Sequence, residues 1–403
     1  MTPAMSDPGS PTLASTGAHW RGVGALSMCV AMLIAAEFMP VSLLPPIAHD
    51  LGATEGQAGL AISISGLFAV LASLLIARLS ARLDRRHLLI GLTLLMLLSL
   101  CLIALSPNFG LLMVARAILG IVIGGFWALA TATIIRLVER ASVPKALGIM
   151  YLGNAMATAF AAPLGSYLGG MIGWRGVFWL LTPAVLLNLV WLWRSLPSMP
   201  AQNQQAARSL LSLLQRRHVR FAMLGVMLTF AGAFTAFTYL RPLLELRSHV
   251  SVPQLSSLFL ALGLAGFIGT SGASALLAKH LYRLLRWLPL ALALVTVALL
   301  MSTHWLWAIM VAMTLWGAIN AAIPVGWSAW IAEGIQDAAE RGGGLMVAAI
   351  QLAIMLGAAF GGLLLDLLSV EATFIASALL LITASLLIGS GKRLRPLSSV
   401  TQE

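Results

Sequence analysis

Charge is scarce in this chain. Only 9% of its 403 residues are Asp, Glu, Lys or Arg, where soluble domains carry about 25%. That deficit excludes a solvated surface over most of the length. Cysteine is scarcer still: Cys29 and Cys101 are too few for a disulfide framework, lack metal-ligand spacing and read as small apolar core residues. The seven histidines are scattered, with no His/Cys/Asp cluster to hold a metal or pair a nucleophile with a base. That argues against a membrane enzyme. There is no Walker-type glycine loop, which argues against ATP-driven pumping by this chain. A sensor would usually add a soluble domain, and no segment outside the apolar runs is long enough for one.

What is abundant is apolar sequence: 60% of the residues are hydrophobic and the mean hydropathy is +0.96. A spanning helix needs roughly 20 apolar residues, and such stretches recur along almost the whole length. The expectation is an all-α membrane protein; a barrel would show short alternating segments instead. Twelve spans are predicted, at 22–45, 57–79, 87–105, 109–136, 145–170, 174–195, 219–240, 254–278, 287–303, 305–331, 344–367 and 371–391.

The net charge of +11 invites a nucleic-acid partner, but its distribution argues otherwise. With both termini in the cytoplasm, 24 Lys and Arg sort onto the cytoplasmic side except for four. Arg175, Arg241 and Arg247 fall outside, and Arg116 lies within a span. That bias is the positive-inside rule. Residues 1–20, rich in Ser, Pro, Thr and Ala and without Lys or Arg, do not resemble a signal peptide. They read as a disordered cytoplasmic tail. A polar, basic stretch at 197–218 divides 21–196 from 219–391, six spans each, and 392–403 forms a second cytoplasmic tail. Equal halves suggest duplication, with a substrate site at the midplane between them. The 197–218 linker can also lie on the anionic inner leaflet.

Glu37 stands out within the first span. A carboxylate there is costly, so it marks an ion pair, a polar cavity or a proton carrier. Its counterpart is Arg116, which on a helix shares one face with Gly120, Gly124, Trp127 and Thr131. A buried guanidinium stays charged and needs an acidic or carbonyl partner; Glu37 and backbone carbonyls are the candidates, and snorkelling to the interface is the alternative. Asp366 is a second, weaker proton-site candidate near the outer face.

Several motifs carry a family resemblance. Ala77-Arg-Leu-Ser-Ala-Arg-Leu-Asp-Arg-Arg86 resembles the Gly-x-Leu-Ala-Asp-Arg-x-Gly-Arg-Arg loop of the major facilitator superfamily, with Ala77, Ala81 and Asp84 in place of Gly, Asp and Gly. Arg82, Asp84, Arg85 and Arg86 are the residues that would rebuild its charge lock with a helix end; a plain topology-setting basic loop is the alternative. Arg116-x-x-x-Gly120 resembles the motif of proton-coupled exporters. Ala162-Pro163 with Gly165, Gly169 and Gly170 resembles the antiporter motif, a packed and bending seam. Glu37-Phe-Met-Pro-Val-Ser-Leu-Leu-Pro-Pro46, Gly124-Gly-Phe-Trp127, Phe237-Thr-Tyr-Leu-Arg-Pro242 and Pro324-Val-Gly-Trp-Ser328 are similar to the sugar and nucleoside efflux branch of the drug–proton antiporters, purine ribonucleoside exporters above all.

That resemblance implies two six-helix halves and alternating access. It implies proton antiport through Glu37 and Arg116 with no cofactor other than the proton, and a monomer in the bacterial inner membrane. The implied cargo is a purine ribonucleoside of the inosine or guanosine type; sugars such as arabinose, or drug-like amphiphiles, stay open as alternatives. A nucleoside needs π-faces for its base and amides or hydroxyls for its sugar. Trp127, Phe234, Trp316 and Trp327 offer the first; Asn154, Asn320 and Gln351 offer the second. Each aromatic has packing as its alternative role.

Overall fold

The computed structural model describes residues 13–80, 82–139, 142–200, 210–302, 304–335 and 339–395. Residues 1–12 and 396–403 of the tails, 201–209 of the linker, and Arg140 lie outside these. The described residues are almost entirely helical and contain no strand. In order, the helices are α1 (Leu13–Asp50), α2 (Glu55–Ser80), α3 (Arg85–Leu105), α4 (Phe109–Leu137), α5 (Val143–Ser195), α6 (Arg217–Phe237), α7 (Leu240–Ser248), α8 (Val252–Met301), α9 (Leu306–Gly334), α10 (Ala339–Leu367) and α11 (Val370–Ile388). Helix α1 begins at Leu13, so residues 13–20 are helical rather than the disordered tail expected of them.

Eleven stretches among the described residues are long and apolar enough to cross a membrane. One of them, Lys145–Ser195, has 51 residues, too long for one crossing. It breaks at Gly173, whose φ of 73° lies in the region that favours glycine, and so makes two crossings. Twelve crossings result. The predicted spans at 254–278 and 287–303 join within α8, where His280 alone leaves helical geometry. The predicted span at 219–240 corresponds to α6, and the apolar stretch continues past a break into α7. Pro242 lacks the N–H that would bond the Thr238 carbonyl, and the helix breaks at Thr238–Tyr239.

Polar side chains mark several helix starts. Asp84, Asn108 and Ser369 accept backbone N–H bonds at the starts of α3, α4 and α11. Large apolar side chains such as Leu187, Ile268 and Met301 are more than 70% exposed. Such surface suits hydrocarbon and not water.

Two hydrophobic clusters form the interior. One holds residues of α1 to α5, the other mainly residues of α6 to α11. The second cluster also takes in Val41, Leu44, Ala48, Ala58, Ile62 and Ala162 from the first six crossings. Several of these follow Glu37 toward the α1–α2 turn, or lie in the first turns after it. The two halves are therefore packed together at the end that carries Asp50. There Asp50 pairs with Arg175 and accepts from Trp174 Nε1 at 3.1 Å, while Arg175 Nη2 bonds the Ser106 carbonyl at 2.7 Å. This fastens α1, α3 and the start of the sixth crossing.

Candidate functional site

Glu37 lies near the middle of α1 and is 4% exposed. Three residues later Pro40 lies inside the helix. Having no N–H, Pro40 leaves the Ala36 carbonyl without its usual donor. Arg116, fully buried on α4, supplies the replacement: Nη1 bonds Ala36 O at 2.9 Å, Nε bonds Ala61 O of α2 at 2.8 Å, and Nη2 reaches Glu37 O at 3.4 Å. Ser65 of α2 returns a bond to Arg116 O at 2.9 Å. The embedded arginine is thus satisfied by carbonyls, one of the two partners expected. It bonds the backbone of Glu37 rather than its carboxylate, and it does not snorkel. Its charge still lies close enough to act on that carboxylate.

The Glu37 carboxyl faces the other half. Its hydrogen-bond partner is the side chain of Gln351 on α10, itself 6% exposed, whose Oε1 is buried and has no partner. An ionised carboxylate can only accept from the Gln351 amide; the protonated acid can also donate to Oε1. This pair therefore spans the halves and can distinguish the two protonation states.

Phe38, beside Glu37, packs against both hydrophobic clusters. Its ring lies 5.8 Å from Phe234 and 5.9 Å from Phe237, and Phe237 stacks on Trp316 at 5.7 Å with 7° between planes. An aromatic chain thus runs from α1 across to α6 and α9. Trp316 donates to Thr296 Oγ1 at 3.2 Å. Trp127 stacks on Tyr151 of α5 at 5.9 Å and 25°. Tyr151 is 48% exposed, bonds Thr131, and lies on the same helical face as Asn154 and Thr158. Asn154 and Asn320 are half-buried. Trp327, 1% exposed, packs on Trp330 and against Gly225 inside the C-terminal bundle, apart from the Glu37 group.

Gly120 and Gly124 sit where a side chain would run into the carbonyls of Ser65 and Ala69. Their role is close approach of α4 to α2. Pro163 and Gly165 lie buried in α5, with Gly165 against Ser42. Asp84 and Arg86 of the basic loop bond the end of the sixth crossing and the segment after it. Asp84 accepts from Ser198 Oγ at 2.5 Å, from Arg86 N–H at 2.7 Å and from Met199 N–H at 3.0 Å. Arg86 Nη2 bonds Trp193 O at 2.7 Å, Arg85 is buried, and Arg82 is exposed. These bonds join α3 to the end of the sixth crossing within one half. Burial alone would raise the Asp84 carboxyl; the bonds from Ser198, Met199 and Arg86 outweigh it and hold the group below the usual carboxylate range. Asp366 is exposed and binds Thr54 and Gly56 of the other half.

The model of the Major Facilitator Superfamily matches residues 26–338. The chain belongs to the major facilitator superfamily. It is 46% identical over 372 residues to the transcription regulatory protein OpdE of Pseudomonas aeruginosa, covering 91% of this chain and 92% of that one. It is 38% identical over 380 residues to the purine ribonucleoside efflux pump NepI of Salmonella typhimurium, covering 94% and 96%. Among solved structures, a bacterial homolog of the human lysosomal transporter Spinster, inward-facing and occupied, superposes with a TM-score of 0.75 at 15% identity, covering 94% of this chain and 97% of that one. The human organic anion transporter MFSD10 (TETRAN) does so at 0.70 and 17%, covering 94% and 100%. The protein is a multi-pass membrane transporter and not an enzyme.

Sequence reasoning missed Phe38 and Tyr151. Phe38 had a signal, its place beside Glu37. Tyr151 had one in its spacing from Asn154 and Thr158.

Proposed function

We propose that this transporter exports purine ribonucleosides in exchange for protons. The observation that carries the reading is the Glu37 site: a buried carboxyl at mid-span, hydrogen-bonded across the halves to Gln351 and flanked by the Phe38–Phe234–Phe237–Trp316 chain. The group is titratable, the rings offer stacking surfaces for a base, and the amides of Gln351, Asn154 and Asn320 can meet a sugar or a base edge. The likeness to NepI over nearly the full chain supports the same cargo.

In this cycle Glu37 takes up a proton from the outside, and the neutral pair with Gln351 permits the switch to the inward-facing state. Proton release to the cytoplasm then accompanies nucleoside binding. The distribution of Lys and Arg supports cytoplasmic termini in a bacterial inner membrane, and the chain acts as a monomer. The test is gradient-driven movement of radiolabelled inosine in proteoliposomes, wild type beside Glu37→Gln. Movement that vanishes in the variant supports the reading. Inosine movement in both relocates the proton site, and a pH-driven signal from sugars or dyes alone overturns the cargo.

A second reading comes from the likeness to OpdE, which shares more of this sequence than NepI does. On that reading the exported solute is a signal, and loss of the carrier changes transcript levels through the solute retained. Transcript changes in a deletion strain that Glu37→Gln fully restores would refute that route.

A further inference from the structure

Helix α1 carries two further carbonyls that prolines leave without their usual donor, those of Val41 and Ser42, freed by Pro45 and Pro46. Pro46 has no N–H for the Ser42 carbonyl, just as Pro40 has none for Ala36. The donor that meets Ser42 O is Arg241 Nη1, from α7 in the other half. Arg241 is 8% exposed, and its Nε is held by Glu245 Oε1 at 2.7 Å, one turn along the same helix. The break at Thr238–Tyr239 separates α7 from α6 and sets the short helix against α1.

A few residues away, the other half contributes a carboxylate. Asp366, at the end of α10, accepts from Gly56 N–H at 3.1 Å and from Thr54 Oγ1 at 2.5 Å. It therefore caps the start of α2 from outside that helix's own half, satisfying an N–H that the helix leaves free. Tyr239 seals the space between, its ring against Gly361 and its hydroxyl beside Gly59 and Gly362. Glu55 lies within electrostatic reach of Arg241, Glu245 and Asp366. The bonds that Arg241 and Asp366 make to the other half thus fall at one end of the molecule, beyond the Glu37–Gln351 pair.

We propose that Arg241 and Asp366 are the gating residues of the transport cycle, locking the outward ends of the two halves by binding backbone groups on α1 and α2. The lock reads helix geometry rather than an opposing side-chain charge. Arg241 needs the carbonyl that Pro46 exposes, and Asp366 needs the Gly56 N–H, which the Thr54–Gln57 capping box at the start of α2 leaves free. Opening outward must break both sets of bonds together. This inference rests on alternating access between the halves, and not on the identity of the cargo or on Glu37.

The test is a pair of spin labels at Pro107→Cys and His304→Cys, exposed turns on that end of opposite halves, in the full chain with Cys29 and Cys101 replaced by Ala. Pulsed dipolar spectroscopy reads the distance distribution without any substrate. Arg241→Gln should raise the long-distance, outward-open population roughly tenfold, the loss expected of one charge-assisted bond. Asp366→Ala should shift it the same way. Pro46→Ala keeps every gating side chain and favours helix, and it gives Ser42 O an in-helix donor. It should shift the population in the same direction, by less. A wild-type distribution in Arg241→Gln overturns the proposal. A shift there with none in Pro46→Ala overturns the carbonyl as the anchor, and an unshifted Asp366→Ala removes that residue from the gate.

Discussion

The pairing of Arg116 with the carbonyl left by Pro40 can be measured as a coupling energy. Arg116→Leu deletes three donors; it also withdraws the charge that acts on the Glu37 carboxyl, an effect that cancels in a cycle with Pro40→Ala because it is common to the two backgrounds. Interhelical bonds in membrane proteins average about 0.6 kcal/mol, so three of them give a loss of about 2 kcal/mol. Much of that loss should reside at Ala36 O, because its in-helix donor is missing and no neighbour replaces the guanidinium. Pro40→Ala restores the donor. In the wild type that carbonyl is already bonded, so the substitution gains little there beyond helix propensity. In the Arg116→Leu background it satisfies an otherwise orphaned acceptor. The propensity gain is common to both and cancels in the cycle. The coupling should be about 1 kcal/mol, with Pro40→Ala more stabilising in the Arg116→Leu chain than in the wild type. Equilibrium unfolding in mixed detergent micelles measures all four chains. A coupling below about 0.3 kcal/mol would refute the claim that proline and arginine form one unit.

Other outcomes follow from the same geometry. Gly124→Val places a branched side chain against the Ala69 carbonyl and should destabilise the fold by about 1–3 kcal/mol, read in the same unfolding assay. The Asp84 carboxyl titrates lower in the folded chain than in the unfolded one, so its stabilising contribution is complete above the unfolded value of about 3.9 and disappears as pH falls through the folded value. Asp84→Asn should therefore lack the acid-side loss of stability seen in the wild type; identical acid limbs would contradict this. Phe38→Ala should raise the KM for inosine about two- to tenfold, the worth of one aromatic contact, while pH-driven movement persists at saturating substrate. An unchanged KM would place the cargo elsewhere.

The fold was legible because hydrocarbon imposes one dominant rule: long apolar runs separated by charged turns can only be stacked helices. Glu37 and Arg116 were legible for the same reason, since each violates that rule. Their relation was legible in part, since Glu37 and backbone carbonyls both stood as partners for Arg116. Opposite charges in one membrane suggest an ion pair, but the guanidinium reaches three carbonyls instead, because α1 presents one of them bare. Trp327 illustrates the opposite limit. It and Trp316 both read as π-faces for a base, yet residue type could not tell a ring turned toward Phe237 from one turned into Gly225 and Trp330. In the loop motif, the bond from Arg86 to a helix end followed from the resemblance, but the bonds of Asp84 to the 198–199 segment are remote in sequence and without a periodic signature.

The prolines of α1 connect these observations. Pro40 and Pro46 each free a carbonyl, and each carbonyl is taken by a buried arginine. The first arginine, Arg116, belongs to the same half as α1, so its bonds can persist while the halves rock. The second, Arg241, belongs to the other half, so its bond must be made and broken in every cycle. Ala36 O and Ser42 O stand on either side of the Glu37–Phe38 site. One helix therefore carries a fixed joint at the depth of the titratable group and a releasable joint nearer the outside. A proton on Glu37 changes what that carboxyl can offer Gln351 across the same interface that Arg241 holds shut. If the two act in one equilibrium, Glu37→Gln, which mimics the neutral acid, should shift the distance distribution between the Pro107 and His304 labels in a chain whose Arg241 is intact. It should shift it less once Arg241→Gln has opened the gate. Equal shifts in both backgrounds would mean that the proton site and the gate operate independently.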